Sequence, residues 1–265
     1  MCRLLGVVST TPIAVSEAVG AYLLKDFVAL TKIHGDGWGI AHLGQAGEDP
    51  RVEVSAGSAL DDPLFTAAAR ERRSVASLVH LRWATNGLAV EPQNSHPFVA
   101  DGVAFAHNGS IKPTGPLDAL IEPDTAASLR GTTDSERYFG VIRQHRQIAP
   151  DLAEAVRRAV AQLRQLYPEA SLNALVLSED QLIAVHAHAR SRLPAEDIEE
   201  ISAADLPSEH LEDYFALRWA RPDDQTVVIG STGFGDLDWQ PLPPESVTAI
   251  SMRELSMTVL PLMTG

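Results

Sequence analysis

The sequence predicts an α+β fold, in which helices and antiparallel strands form separate layers. Short apolar runs that end in Gly, Pro, Ser or Asn recur along the chain and indicate buried strands. Two longer stretches carry apolar residues at helical spacing, and in the second half the strands follow one another closely, as hairpins do. The 265 residues contain no repeat, no low-complexity tract and no convincing linker, so we expect one domain over 1–265.

The first part of the chain is expected to alternate strands with helices. Residues 2–9 form an apolar run closed by Ser-Thr-Thr-Pro, which indicates a buried strand. Residues 15–30 are predicted to form an amphipathic helix, because one stripe of this segment consists of Val19, Leu23, Phe27 and Leu30. A tight turn at 36–40 then leads into a strand, and a further strand and helix are expected at 51–56 and 62–72.

Residues 75–84 are expected to form a strand with two different faces. Because side chains alternate along a strand, Leu78, His80 and Arg82 share one face. The opposite face consists of Val79, Leu81 and Trp83. The pattern therefore predicts that His80 and Arg82 point the same way, with apolar residues covering the other side.

The rest of the chain is expected to hold two more helices and then mainly strands. A strand at 102–107 ends in His-Asn-Gly, and residues 112–132, with three Pro and two Gly, indicate a loop with at most a short helix. Helices are predicted over 134–145 and 152–166. Residues 190–213 are acidic and indicate a surface segment with a short helix. Further strands are predicted at 172–178, 181–187, 214–219, 226–230 and 247–251.

The overall charge restricts the partners that the protein can have. A net charge of −14 disfavours nucleic acid and anionic membranes, because both are themselves anionic. No run of 18 apolar residues is present, so no transmembrane helix is expected, and the amino terminus lacks the organisation of a signal peptide. A single cysteine cannot form an internal disulfide, which fits a reducing compartment, so a cytoplasmic location is expected.

Cys2, the single cysteine, follows the initiator Met1, which is usually trimmed when the second residue is this small. After trimming, one residue would carry both a thiol and a free α-amine. An α-amine with a pKa of about 7.7–8.0 can act as a general base, and a thiol needs such a base to become a nucleophile at neutral pH. The ordinary alternative is a small apolar residue buried in a strand.

Arg82 ends an apolar strand, where its charge is costly to bury unless it meets an anion. The guanidinium fork fits a carboxylate through two hydrogen bonds, although a structural ion pair is the more ordinary role. The following Thr85-Asn86-Gly87 can supply a turn with hydroxyl and amide donors.

The dipeptide Asn108-Gly109 is in the first place a turn signal, typical of a hairpin. The Asn side-chain amide and the Gly N–H can also form a two-donor oxyanion hole, and Gly lets a substrate approach the backbone closely.

Asp134 lies in Thr132-Thr133-Asp134-Ser135-Glu136, directly before a predicted helix. Such a segment first indicates a helix N-cap. A carboxylate at this place could instead receive the ammonium group of a substrate.

Taken together, these motifs resemble the glutaminase domain of the class II glutamine amidotransferases, the family with an N-terminal nucleophile. The resemblance rests on five separated motifs in the family's order, and it covers most of the chain, weakening after about residue 190. The motifs are Asp36-Gly37-Trp38-Gly39, His80-x-Arg82-Trp83-Ala84-Thr85, Asn94-Ser95-His96-Pro97-Phe98, Ala106-His107-Asn108-Gly109 and Thr133-Asp134-Ser135-Glu136.

The resemblance implies a four-layer αββα sandwich and a set of roles. Cys2 would attack the side-chain amide carbon of glutamine or a small γ-glutamyl compound, giving a γ-glutamyl thioester that water hydrolyses. Asn108 and Gly109 would hold the oxyanion. Arg82, assisted by Thr85, would bind the substrate α-carboxylate and Asp134 the α-ammonium. No cofactor and no metal are expected.

Two positions depart from the family's pattern. The synthases usually begin Cys-Gly and carry His after Arg-Trp-Ala-Thr, whereas this chain has Arg3 and Asn86. Both changes are expected at the pocket rim, where they bear on the leaving group. The Met-Cys-Arg opening is similar to the compact branch of the family, which includes the γ-glutamyl hydrolase of ergothioneine biosynthesis.

Three functions stay open at this point. The protein is expected to be a stand-alone amidohydrolase, or a glutaminase subunit that delivers ammonia to a separate synthetase partner, or a non-catalytic protein on the same fold. The third is disfavoured because the polar site positions are all retained. A metal site built from His80, His96, His107, His186 and His188 is only weakly indicated, and His96 and His107 are expected to be structural hydrogen-bonding residues.

Overall fold

The computed structural model describes residues 2–84, 90–204, 206, 211, 213–231 and 234–262. In this part of the chain the strands fall into two groups, one before residue 109 and one after residue 172. They are β1 (Arg3–Ile13), β2 (Trp38–Leu43), β3 (Arg51–Ser55), β4 (Ser74–Leu81), β5 (Phe98–Ala100), β6 (Val103–Asn108), β7 (Asn173–Leu177), β8 (Gln181–His186), β9 (Leu217–Asp223), β10 (Thr226–Ser231), β11 (Gln240–Pro241), β12 (Ser246–Ser251) and β13 (Met257–Pro261).

The helices fall into three groups along the chain, near the start, in the middle and in the acidic segment. They are α1 (Val15–Val19), α2 (Ala21–Ala29), α3 (Pro63–Arg70), α4 (Gly115–Asp118), α5 (Pro123–Ser128), α6 (Asp134–Arg146), α7 (Leu152–Leu166) and α8 (Ala195–Ala203), with short 3-10 turns at Leu30–Lys32 and Pro92–Asn94. In the described residues, no helix is both long and apolar enough to cross a bilayer.

The strands form two antiparallel sheets. The first has the order β11-β9-β10-β1-β4-β2-β3, and the second has the order β13-β12-β8-β7-β6-β5. In the first sheet β1 lies between β10 and β4, with Arg3 opposite Leu81. In the second sheet β6 lies between β5 and β7, with Asn108 opposite Asn173. The first residues of β1 and the last residues of β6 therefore both lie inside their sheets.

Three apolar cores separate four layers. One core packs α1–α3 against the outer face of the first sheet, and another packs α6 and α7 against the outer face of the second. The third core lies between the two sheets, where residues such as Leu4 and Leu78 meet Leu175 and Leu182. This is the αββα sandwich that the resemblance implies, and that expectation is confirmed.

The alternation predicted along β4 is also observed. Leu78 belongs to the core between the sheets, whereas Val79 and Leu81 belong to the core under α1–α3. The faces differ because each is covered by a different layer. His80, two residues after Leu78, is fully buried.

Some predicted elements differ from the structure. The helix predicted over 15–30 is interrupted at Gly20, whose φ of 82° cannot belong to a helix, although its apolar stripe is buried as expected. The segment 112–132 holds two short helices, and the strand predicted at 214–219 is β9, at 217–223. The strands β5 and β13 were not expected, because one is very short and the other is largely exposed.

Candidate active site

Most of the residues singled out from the sequence surround one small cavity. Its lining includes Cys2, Arg82, Gly109 and Asp134, and Asn108 joins them through a hydrogen bond to Cys2. The cavity measures ≈ 20 Å³, which is about the size of one water molecule. Thr85, the remaining candidate, lies outside the described residues.

Cys2 lies directly before β1 and is almost completely buried, with 6% of its surface exposed. Its backbone N–H donates to Asn108 Oδ1 at 2.9 Å, which links the start of the first sheet to the end of β6 in the second. Its Sγ lies 4.0 Å from the Trp83 carbonyl oxygen. The nitrogen and the sulfur of Cys2 are thus both fixed at the cavity.

Asn108 is the last residue of β6 and has no solvent exposure. Because its Oδ1 accepts from Cys2, its Nδ2 is held on the other side of the amide, and within the described residues this Nδ2 has no hydrogen-bond partner. A buried amide donor without a partner costs about 1–3 kcal/mol. Such a cost is typical of a donor that serves a ligand rather than the fold.

Gly109 cannot carry a side chain in this backbone. A Cβ at this position would lie 2.0 Å from the Ser171 carbonyl oxygen and 2.6 Å from His107 Nε2. Ser171 also donates from its hydroxyl to the Asn108 carbonyl oxygen at 2.8 Å, which holds the chain where it leaves β6. The next strand begins only at Asn173, so Asn108-Gly109 is not the two-residue hairpin turn that its sequence first indicates.

Arg82 follows β4 and is 3% exposed. Its backbone N–H donates to the Gly37 carbonyl at 2.9 Å and its carbonyl accepts from the Asp36 N–H at 3.0 Å. Its Nη1 donates to the Asp36 carbonyl at 3.3 Å, and the Asp36 carboxylate accepts from the Ala84 N–H at 2.8 Å. The Asp36-Gly37 turn therefore holds both the backbone and the guanidinium of Arg82.

Asp134 is the first residue of α6, and Thr133 caps that helix by accepting from the Glu136 N–H at 3.1 Å. The carboxylate of Asp134 accepts from the Ile111 N–H at 2.5 Å and from the Ser135 N–H at 2.9 Å. The N-cap role that the sequence suggested thus belongs to Thr133. Asp134 is half-buried at the cavity, where two backbone donors fix its orientation.

His107 is a structural residue, as expected. Its Nε2 lies 2.9 Å from the Ser171 carbonyl oxygen, which can only accept, so Nε2 carries the proton and Nδ1 accepts from the Ser135 hydroxyl at 2.9 Å. Burial lowers the pKa of His107, so its imidazole stays neutral at pH 7.

His80 and His96 lie beside the cavity as two buried rings whose centroids are 4.3 Å apart. Burial lowers the pKa of His80 to about 3 and holds the pKa of His96 well below its usual range. The ring nitrogens of His96 have no hydrogen-bond partner within the described residues, so its expected hydrogen-bonding role is not seen there. Both rings are neutral at pH 7, which keeps further positive charge away from Arg82.

Contrary to the expectation from the sequence, Arg3 does not lie at the pocket rim. It is fully buried, its Nη1 donates to the Tyr214 carbonyl at 3.0 Å, and its guanidinium carbon lies 3.8 Å from the centroid of the Tyr214 ring. The reason is the alternation of β1, which turns Leu4 into the core between the sheets and Arg3 to the opposite face. Asn86, the other departure, lies outside the described residues.

Some residues of the site were not singled out individually from the sequence. Asn94 lines the cavity and accepts from the Thr132 N–H at 3.0 Å, and Asp36 holds Arg82. Both belong to motifs that carry the family resemblance, so a signal for them exists. Ser171, which supports Asn108 and His107, has no sequence signal. In the described part of the chain, no group of three or more His, Cys, Asp or Glu residues could hold a metal ion.

Comparison with known proteins identifies the family. The family model for class II glutamine amidotransferases matches residues 1–260, and the chain belongs to this family. A glutamine–fructose-6-phosphate aminotransferase (isomerizing) from Acidithiobacillus ferridurans is 34% identical over 170 residues, which are 63% of this chain and 26% of that protein. The chain thus spans about a quarter of the length of the curated relatives it matches.

Solved structures show the same fold. A glutamine aminotransferase class-II domain protein from Silicibacter pomeroyi superposes with a TM-score of 0.64 at 20% identity, over 99% of this chain and all of the other. The glutamine phosphoribosylpyrophosphate amidotransferase from B. subtilis superposes with a TM-score of 0.65 at 16% identity, over all of this chain and 50% of the other.

Proposed function

We propose that this protein hydrolyses the γ-amide of glutamine or of a small γ-glutamyl compound, with Cys2 as the nucleophile, and that it does so as a stand-alone hydrolase. One observation carries the proposal. The Asn108 side chain accepts from the nitrogen of Cys2 with one end, and its other end is a buried donor that has no partner in the part of the chain that the structure describes. An amide carbonyl attacked by Cys2 would therefore have an oxyanion donor beside the nucleophile.

The reaction follows from the atoms at the cavity. Once Met1 is removed, the Cys2 nitrogen becomes an α-amine that takes the thiol proton, directly or through water. The thiolate attacks the amide carbon, and the oxyanion is held by Asn108 Nδ2 and the Gly109 N–H. The ammonium returns its proton to the leaving nitrogen, the C–N bond breaks, and water then hydrolyses the thioester to glutamate and free thiol.

The two ends of the glutamyl head fit the charges at the cavity. The guanidinium of Arg82 matches the α-carboxylate, and the carboxylate of Asp134 matches the α-ammonium. Both side chains are held by backbone groups, so their positions do not depend on a ligand. Thr85 is proposed to assist the carboxylate. Delivery of ammonia to a separate synthetase is the alternative use of the same chemistry.

The proposal is tested by glutamate release from glutamine and from a panel of γ-glutamyl amides, with wild type and Cys2→Ala compared. We expect turnover in the wild type and none above background in Cys2→Ala, which should keep the fold because Ala fits the same space. Turnover by folded Cys2→Ala would remove Cys2 from the mechanism. Fast cleavage of one amide supports the stand-alone hydrolase, whereas slow activity on glutamine alone supports the synthetase partner.

A further inference from the structure

A second, larger cavity adjoins the candidate active site. Its volume is ≈ 300 Å³, and Ala84, which follows β4 by a few residues, lines both cavities, so they lie next to each other. Its lining also includes Ser110, which follows the proposed oxyanion donor Gly109, and Ser171, whose hydroxyl donates to the Asn108 carbonyl. We call this space, on the α8 side of the oxyanion donors, the α8 pocket.

The α8 pocket has an ordered wall. Phe215 lines it, and the Phe215 carbonyl accepts from the side-chain amide of Asn173, a fully buried residue. The neighbouring Tyr214 is held by Arg3 through the hydrogen bond to its carbonyl and the stacking of the guanidinium on its ring. The residue that departs from the Cys-Gly opening therefore fixes the segment that closes this side of the site.

The lining of the α8 pocket is polar and acidic. Its charged residues are four carboxylates and two cations, a net charge of −2, namely Glu169, Glu196, Asp197, Glu200, Lys112 and Arg192. The hydroxyl oxygen of Ser191 is buried at this pocket and has no hydrogen-bond partner among the described residues. The pocket thus offers a buried hydroxyl that has no partner within the described ranges, together with an excess of negative charge.

We propose that the α8 pocket binds the leaving group, and that it favours γ-glutamyl amides of amines that carry a second positive charge. The inference rests on the proposed function. If Arg82 and Asp134 hold the glutamyl head in the first cavity, the amide substituent must extend away from them, past Asn108 and Gly109. The α8 pocket is the adjoining space on that side, and its excess of carboxylates attracts a cation.

The expected size of the preference for a cationic leaving group follows from the solvent exposure of the charged side chains in the pocket. Five of the six charged side chains are solvent-exposed and Asp197 is intermediate, so each contributes weakly and is screened by salt. Several weak contributions together give a preference of about tenfold for a cationic over a neutral leaving group.

The test uses three γ-glutamyl amides of similar length, prepared from putrescine, pentylamine and δ-aminovaleric acid, whose far ends are positive, neutral and negative. We expect kcat/KM for the putrescine amide to exceed that for the pentylamine amide about tenfold, and the aminovaleric amide to be the poorest substrate. The preference should shrink in high salt. Glutamine is assayed alongside as the reference for the basal reaction.

A matched pair of variants assigns the preference to the pocket. Glu196→Gln with Glu200→Gln removes two carboxylates from the lining and should reduce the cationic preference several-fold, while glutamine turnover is kept. Glu199→Gln lies on the same helix, exposed and outside the lining, and should change nothing.

Four outcomes would overturn the inference. If glutamine is cleaved and the three amides are equivalent, or if the double variant behaves like Glu199→Gln, the pocket does not select the leaving group and the proposed function stands. If glutamine is far better than every amide, the pocket does not accept a leaving group at all. If no substrate, glutamine included, is cleaved, the proposed function fails and the subsite with it.

Discussion

Asn108→Asp is the most direct test of the oxyanion donor. In the wild-type protein the Cys2 nitrogen lies 2.9 Å from Asn108 Oδ1. The substitution keeps an oxygen that can accept from this nitrogen and replaces only the amide NH₂. The new group has nearly the same shape, so the packing around the end of β6 is preserved. The change therefore separates the two ends of one side chain, the end that holds the nucleophile and the end proposed to hold the oxyanion.

The magnitude follows from the surroundings of that NH₂. Because Asn108 is fully buried and its Nδ2 has no partner among the described residues, the donor is not needed by the fold and its effect falls on the reaction. Loss of one oxyanion donor lowers kcat by roughly 10²–10³-fold, or about 2.7–4 kcal/mol. A charged carboxylate beside the oxyanion would repel it and lower kcat further.

The assay is the initial rate of glutamate release from glutamine, with thermal unfolding followed by circular dichroism. Asn173→Asp is the matched control, because Asn173 is equally buried on the neighbouring strand and its NH₂ is occupied by the Phe215 carbonyl. Asn173→Asp should lower the free energy of unfolding by about 1–3 kcal/mol more than Asn108→Asp does. Its kcat should fall much less than that of Asn108→Asp. A folded Asn108→Asp enzyme with kcat within a few-fold of wild type would refute the role of Asn108 as an oxyanion donor.

Three further predictions concern the terminus, the substrate head and acid stability. Intact mass of active protein should show the loss of Met1, and full activity with Met1 retained would contradict the amine as base. Arg82→Lys should raise KM roughly tenfold to a hundredfold, because one ammonium cannot replace the fork, and unchanged kinetics would make Arg82 structural. His80 has a folded pKa of about 3 against 6.5 when unfolded, so the unfolded state binds the extra proton and stability falls as pH drops below 6.5. The loss should be on the order of 3 kcal/mol by pH 4 in urea titrations, and His80→Gln should flatten it; an equal slope in that variant would show that other groups cause it.

The fold could be predicted where side-chain alternation or helical spacing reports burial. The helix α7 and the two faces of β4 were predicted correctly, because each packs against a continuous apolar layer. The break at Gly20 could not be predicted, since the apolar stripe continues through it and only the backbone angle changes. Layer order was available from the family resemblance alone, because hydrophobic pattern does not say which sheet a strand joins.

For the site, too, some residues could be predicted from the sequence and others could not. Cys2, Arg82, Asn108, Gly109 and Asp134 could be named from residue chemistry and motif order, and the structure places them around one cavity. The residues that hold these side chains in place do so through tertiary contacts, which no local sequence pattern predicts. An example is Ser171, whose carbonyl oxygen packs against Gly109. The same limit explains Arg3, whose position beside Cys2 in sequence suggested a shared pocket although the strand turns it to the opposite face.

The geometry of the site depends on how closely the two sheets pack, because Cys2 precedes a strand of the first sheet and Asn108 ends a strand of the second. Gly6 lies where β1 approaches the second sheet, and a Cβ there would lie 2.7 Å from Leu182 Cδ2 and 3.2 Å from Leu175 Cδ1. The absence of a side chain at Gly6 thus lets the sheets come close a few residues from the nucleophile. Since packed cores transmit small displacements, a change in the spacing of the sheets at Gly6 would reach the hydrogen bond between Cys2 and Asn108. The apolar core between the sheets therefore acts on the proposed chemistry as well as on stability, through the distance between a nucleophile and its oxyanion donor.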